Sequence, residues 1–212
     1  GDVVAIIGKN GSGKSTLAKS LINLVPYTEG DITWNGSSLL HESTNLLMNR
    51  GIGFFFQGGR VFPNLTVSEN LQLSKVTMGI SKPNSDDSFL GSYIEKFISD
   101  KGKQIASFLS GGQQHILAIL MVLITHPQLL ILDEPSAGLS PESINVIYDL
   151  IHQYRLSEQP TIILIEQNLQ VAFKYSERII LLEKGEIQLS EASDGKMSQT
   201  MQNEYFNVRS SK

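Results

Sequence analysis

Val3-Val4-Ala5-Ile6-Ile7-Gly8-Lys9-Asn10-Gly11-Ser12-Gly13-Lys14-Ser15 decides how this chain is read. A short β-branched run passes directly into G-x-x-x-x-G-K-[ST], the phosphate-binding loop. Glycines let the backbone curl with its N–H groups turned inward, which makes a concave anion site. The spacing predicts a helix over residues 15–24, whose N-terminus adds its positive end to that site. Gly8, Asn10, Gly11, Ser12, Gly13, Lys14, Ser15 and Thr16 are therefore the candidate ligand-binding residues of this stretch. The loop amides and Lys14 answer the β- and γ-phosphate charge, and Ser15 ligates Mg²⁺. Strand, loop and helix in this order argue against a glycine-rich turn that binds nothing. The loop alone specifies a nucleotide and leaves its use open.

Composition bounds the rest. A chain of 212 residues with 41% hydrophobic content makes one domain with room for a subdomain. The net charge of −4 leaves no basic surplus to neutralise a phosphate backbone, so no nucleic-acid partner is expected. With no cysteine present, disulfides and thiolate metal sites are excluded. No signal peptide is visible. The longest apolar run, residues 116–125, is about half of what a bilayer crossing needs, so a role at a membrane would be peripheral. The chain opens without Met, and Asp2 leads straight into the first strand, as a piece of a longer protein would.

Beyond the loop, Glu29-Gly30-Asp31-Ile32-Thr33-Trp34-Asn35-Gly36 alternates around Ile32 and Trp34 and ends in Asn-Gly, a turn signal, which predicts a short strand of a small antiparallel layer. Residues 37–50 are polar and ambiguous, with room for a helical turn or more. Residues 52–56 form a buried strand that ends at Gln57. Thr66 and Glu69 make a capping-box pattern, residues 82–88 form a polar loop, and residues 89–99 have helical apolar spacing. The whole stretch 58–125 is mostly helical, with Leu109-Ser110-Gly111-Gly112 opening a helix over 113–125. Residues 129–132 and 161–165 are apolar strands, and 141–155 and 168–176 are helices. Residues 178–189 make a hairpin about Lys184-Gly185. Beyond Ser190 we expect a polar, partly disordered tail.

Apolar strands alternating with helices imply a mostly parallel sheet, with ligands at the carboxyl ends of its strands. The phosphate loop, Gln57, Asp133-Glu134 and Glu166-Gln167 all fall at such ends, so one pocket is expected to collect them. Asp133 suits Mg²⁺ and Glu134 suits activation of water. The adjacent acids alone would be weak evidence, since they could simply cap the segment before Pro135; with a phosphate loop they become strong. Ser110, Gly111, Gly112 and Gln113 form a second Gly-rich loop at a helix N-terminus, hence a second anion site.

That second loop resembles the signature sequence of ATP-binding-cassette (ABC) ATPases, and the resemblance covers nearly the whole chain. It implies an α/β P-loop NTPase fold. Residues 1–57 and 126–212 would form a RecA-like parallel-sheet ATP-binding core with a partial antiparallel β layer. Residues 58–125 would form an α-helical subdomain that carries the signature and docks on membrane-spanning helices. It implies an ATPase with ATP and Mg²⁺ as its ligands. Two subunits, identical or related, would sandwich two ATP head to tail, each signature finishing the partner's site. Within it, Glu134 handles the attacking water, Lys14 the phosphate charge, and Ser15, Asp133 and Gln57 the Mg²⁺, with Gln57 also the Q-loop glutamine. Residues 136–140 look like the D-loop, with Ser140 where an acid is usual.

The family's switch residue is usually His; here it is Gln167, which can donate a hydrogen bond but carries no proton. Glu166-Gln167-Asn168, the stretch 59–71 and the run 133–141 are similar to the ATPase subunits of branched-chain amino-acid and amide importers, although that group often has an acid at the position of Gln57. The partners so implied are integral membrane permease subunits and an extracytoplasmic solute-binding protein, with this subunit peripheral on the cytoplasmic face of the inner membrane. A lipopolysaccharide-export-type ATPase and a soluble, non-transport ABC ATPase are the alternatives. The usual adenine-stacking hairpin precedes the phosphate loop in this family, so a chain starting at Gly1 is expected to bind ATP more weakly than one extended at its N-terminus.

Overall fold

The computed structural model describes residues 1–26, 28–77 and 88–206. The polar loop expected at residues 82–88 lies outside them, apart from Ser88. The described chain divides into two compact units. Residues 51–161, with Gly1, make the first, and residues 2–50 with 162–212 make the second. The helical stretch 58–125 thus lies wholly in the first unit.

The second unit is built on β1 (Val3–Ile7), β6 (Thr161–Glu166, all but its first residue), β7 (Arg178–Glu183) and β8 (Glu186–Ala192). β1 pairs in parallel with both β6 and β7, and β8 closes against β7 antiparallel. Val-Val-Ala-Ile-Ile is almost wholly buried, the pattern of a central strand covered on both faces. β8 reads Glu-Ile-Gln-Leu-Ser-Glu-Ala and is mostly exposed, so its polar side chains discourage pairing with another chain. It runs three residues beyond the expected hairpin end. The expected polar tail also carries a helix, α8 (Gln199–Phe206), anchored by the buried Met201. These corrections share a cause: β8 has no buried side chain and α8 only Met201, so neither leaves a periodicity to read.

In the same unit α1 (Lys14–Ser20) is shorter than the spacing suggested, because Asn23 turns into left-handed backbone at φ 55°. β2 (Thr33–Trp34) and β3 (Ser37–Ser38) form the small antiparallel pair about Asn35-Gly36. The ambiguous stretch resolves into β3 and α2 (Thr44–Asn49), which is capped by Ser43. α7 (Leu169–Tyr175) starts at the N-cap Asn168, whose side chain accepts from the Val171 N–H.

The first unit holds the parallel pair β4 (Ile52–Phe55) and β5 (Leu129–Asp133), with α3 (Val67–Thr77), α4 (Phe89–Lys101), α5 (Gly111–Leu123) and α6 (Pro141–Glu158). The two strands and the inner face of α5 supply its core: Ile52, Phe55, Leu117, Ile119, Leu120, Leu130 and Ile131 are all at most 3% exposed. The α/β class with mostly parallel strands and a small antiparallel pair is as expected.

Asn70 is fully buried on α3 and ties the preceding loop to the helix. Its Oδ1 accepts from the Phe62 N–H at 2.7 Å, and its Nδ2 donates to the carbonyls of Phe62 at 3.1 Å and Thr66 at 2.9 Å. Replacing it by Ala leaves buried backbone groups without partners, which costs about 2–3 kcal/mol. Thermal unfolding of Asn70→Ala is expected to show a Tm lower by roughly 5–10 °C. The capping box ahead of α3 is present: Glu69 accepts from the Thr66 N–H and hydroxyl at 2.7 and 2.8 Å, which lowers the pKa of its exposed carboxyl.

Candidate functional site

In the second unit β1 delivers its chain into the loop, and the loop is braced from inside. Gly11 and Gly13 take φ of 78° and 102°, left-handed backbone that other residues adopt only at a cost. At Gly8 a Cβ would lie 2.3 Å from the Leu182 carbonyl oxygen, so only glycine fits there. The turn between β7 and β8 fastens the loop's far side, with the Gly185 N–H donating to the Ser12 carbonyl at 2.8 Å.

Lys14 is 4% exposed, and its Nζ donates to the carbonyls of Gly8 at 2.8 Å and Lys9 at 3.1 Å. The ammonium is thus stapled across the mouth of its own loop. Ser12 Oγ is buried and has no hydrogen-bond partner among the described residues. A hydroxyl left so, inside a ring of backbone amides, fits a site meant for an acceptor-rich ligand. Asn10 and Thr16 are exposed and Ser15 half-buried.

The register Ile7↔Glu166 sets the end of β6 beside the strand that feeds the loop. Gln167 therefore shares the second unit with the phosphate loop and is exposed. Glu166 is 1% exposed, and its Oε2 accepts from the N–H groups of Gln167 at 3.1 Å and Asn168 at 3.2 Å. The sequence marks Glu166 as a strand-end residue but not as the carboxylate that fixes the backbone beneath Gln167. The only signal for this is its place as the sole acid in an apolar strand.

In the first unit Gln57 and Glu134 meet. Gln57 Nε2 donates to Glu134 Oε2 at 2.7 Å across 77 positions of sequence. Asp133 ends β5 at 1% exposure, and Glu134 follows at 6%. Glu134 has φ 50°, a left-handed conformation uncommon for a non-glycine residue and common where function holds backbone under strain. The turn that presents Gln57 is closed by the Gly59 N–H donating to the Phe56 carbonyl at 3.1 Å.

Ser110 caps α5 in a reciprocal box with Gln113. The Ser110 N–H donates to Gln113 Oε1 at 3.1 Å, and the Gln113 N–H donates to Ser110 Oγ at 3.3 Å. The first turn of α5 abuts that of α6, since a Cβ on Gly112 would lie 2.5 Å from Ser143 Oγ. Ser143 is in turn tied to Ser140, the N-cap of α6. Ser140 thus does a structural job that an Asp would also do. His115 went unnoticed in the sequence, although it lies four residues after Gly111, is 8% exposed and is followed in α5 by apolar residues alone.

A model of the ABC transporter family matches residues 1–137. Over 191 residues the chain is 38% identical to the high-affinity branched-chain amino acid transport ATP-binding protein BraG of Pseudomonas aeruginosa, covering 88% of this chain and 79% of that one. It is 35% identical to the probable branched-chain amino acid transport ATP-binding protein LivF of Archaeoglobus fulgidus, over 96% and 84% of the two chains. Among solved structures, the ADP conformation of an ATP-binding cassette of an ABC transporter superposes with a TM-score of 0.78 at 24% identity, over 97% and 86% of the chains. A dimeric post-hydrolysis cassette bound to ADP and Pi gives 0.73 at 27% identity, over 90% and 85%.

Proposed function

Because this chain belongs to the ABC transporter family, we propose that its ATPase activity drives amino-acid import, through a head-to-tail dimer seated on integral membrane permease subunits. The reaction is ATP plus water to ADP and phosphate. The observation that carries the reading is the 2.7 Å bond between Gln57 and Glu134, with the Glu134 backbone held left-handed directly after the buried Asp133. A carboxylate so fixed can orient a water and take its proton. Lys14 and the amides of residues 11–15 answer the phosphate charge. Gln167 donates toward the γ-phosphate through its amide.

The residues suit Mg²⁺. The Ser15 hydroxyl, the Asp133 carboxylate and the Gln57 amide offer oxygen, the donor a hard cation takes. Gln57 gives its Nε2 to Glu134, which leaves Oε1 as its donor to the metal. No group of three or more His, Cys, Asp or Glu among the described residues could hold a metal by itself. That agrees with an ion that takes part of its shell from phosphate oxygens. When bound, Mg²⁺ neutralises charge on the phosphates.

Import of amino acids is supported by the relatives named for branched-chain amino-acid transport and by glutamine and glutamate transport subunits at 34% and 31% identity. In such a system the chain sits peripherally at the cytoplasmic face, and a solute-binding protein delivers cargo outside. No helix among the described residues is long and apolar enough to cross a membrane. Residues 58–125 form the subdomain that docks on the permease, and residues 1–57 with 126–212 the ATP-binding core. The apolar side chains for docking are Phe62, Ile105 and Phe108, exposed by 48%, 38% and 73%. The Ser107 N–H donates to the Pro63 carbonyl at 3.0 Å, which brings their two segments side by side.

Steady-state phosphate release with Mg-ATP tests the reaction, and its absence would count against it. Co-purification with a permease tests the partner. Phe108→Ser is expected to reduce that co-purification at least about tenfold, equivalent to ~1.4 kcal/mol of lost burial, while basal ATP turnover stays within about twofold.

A further inference from the structure

We propose that His115 is a positioning residue that couples the turn carrying Gln57 to the Ser110–Gln113 loop, so that the water-handling and phosphate-gripping parts of one subunit move as a unit. Two contacts carry this, one on each side of the imidazole. His115 Nδ1 lies 3.1 Å from the Gly111 carbonyl, in the first turn of the signature helix. A carbonyl only accepts, so Nδ1 carries a proton and is the donor. Nε2 is buried and has no hydrogen-bond partner among the described residues.

On the other side, the glycine turn that presents Gln57 is pressed onto the histidine. A Cβ on Gly59 would lie 3.2 Å from both Cα and Cγ of His115, closer than side chains ordinarily pack. The Phe55 ring packs against the imidazole at 6.1 Å between centroids. A continuous path results: Glu134 to Gln57 by a hydrogen bond, the Gln57 turn to His115 by the close approach of Gly59, and His115 to Gly111 by a second hydrogen bond. Leu would fill the site without an unpartnered ring nitrogen. An imidazole with one nitrogen spent on a carbonyl and the other buried without a partner is a poor choice for packing alone. It suits a residue retained for the hydrogen bond that ties the loop down.

The inference rests on the proposed roles of Gln57, Glu134 and the signature loop. His115→Leu keeps the volume and removes the donor, whereas His115→Gln keeps an N–H for the Gly111 carbonyl. Phosphate release, binding of a fluorescent ATP analogue to the isolated subunit, and thermal unfolding are measured on the full chain for both. The expected result is a kcat at least tenfold lower for His115→Leu, with analogue affinity within twofold of the unsubstituted chain. Gln is expected to recover at least half of the lost rate. A His115→Leu protein that turns over at the normal rate overturns the link. So does a rate loss that Gln does not recover, or one that cooling abolishes together with a fall in Tm, since both report packing alone. Absence of turnover in the unsubstituted chain instead overturns the ATPase reading itself, and the link with it.

Discussion

Glu134→Gln is expected to lower phosphate release at least about 100-fold, the ordinary scale for removing a general base, while ATP remains bound. The substitution suits this site because Gln keeps the shape of Glu. Its carbonyl oxygen still accepts from Gln57 Nε2, as Glu134 Oε2 does at 2.7 Å. The left-handed backbone at φ 50° is unchanged in kind, because neither side chain is branched at Cβ. What disappears is the negative charge that can take a proton from water. In the proposed dimer the two ATP molecules then persist, and the dimer accumulates. Light scattering with ATP is the measurement: fast turnover with only monomer present would refute both the role and the assembly.

Lys14→Ala is expected to weaken ATP binding by roughly 100-fold, since a charge-assisted hydrogen bond to phosphate contributes about 3 kcal/mol. The substitution also acts before any ligand arrives. The buried ammonium joins the carbonyls of Gly8 and Lys9, the first two residues of the loop. Without it the Gly8 and Lys9 carbonyls lose the ammonium's bonds, the Lys9 carbonyl still accepting from the Ser12 N–H at 3.1 Å, and the curl of the loop is less defined. Binding of a fluorescent ATP analogue measures the combined loss. Lys14→Arg restores charge but carries a planar fork in a site shaped for a point donor, and is expected to recover only part of the affinity.

Much of this was legible because it is local. β1, the glycine loop and the start of α1 follow one another within residues 3–20, and each has its own chemical signature. The same holds for the capping box at Thr66, where one side chain answers a backbone N–H three residues on. The box at Ser110 and the N-cap at Asn168 are as local, but their side-chain bonds came from the structure. The joining of Gln57 to Glu134 was expected from strand ends alone, and its hydrogen bond needed the structure. Asn70, His115 and Glu166 were not legible in their roles. Each is a polar residue in an apolar setting, and sequence does not say whether such a group is satisfied locally or reaches elsewhere. For Asn70 the partners lie four to eight residues back, in a loop with no pattern of its own. α8 was invisible because its only buried side chain is Met201.

The reciprocal box at the start of α5 has a consequence for how two subunits choose their moment to join. Its donors, the N–H groups of Ser110 and Gln113, are occupied by side chains of the same two residues. In the proposed assembly a phosphate from the partner that took up these two N–H groups would displace those bonds rather than fill an unmet need. An exchange of neutral bonds for charge-assisted ones is favourable only when the incomer is strongly anionic. In that assembly the box would work as a threshold. It would discriminate by charge, so that a subunit offering a full triphosphate is expected to be engaged more firmly than one offering a spent diphosphate.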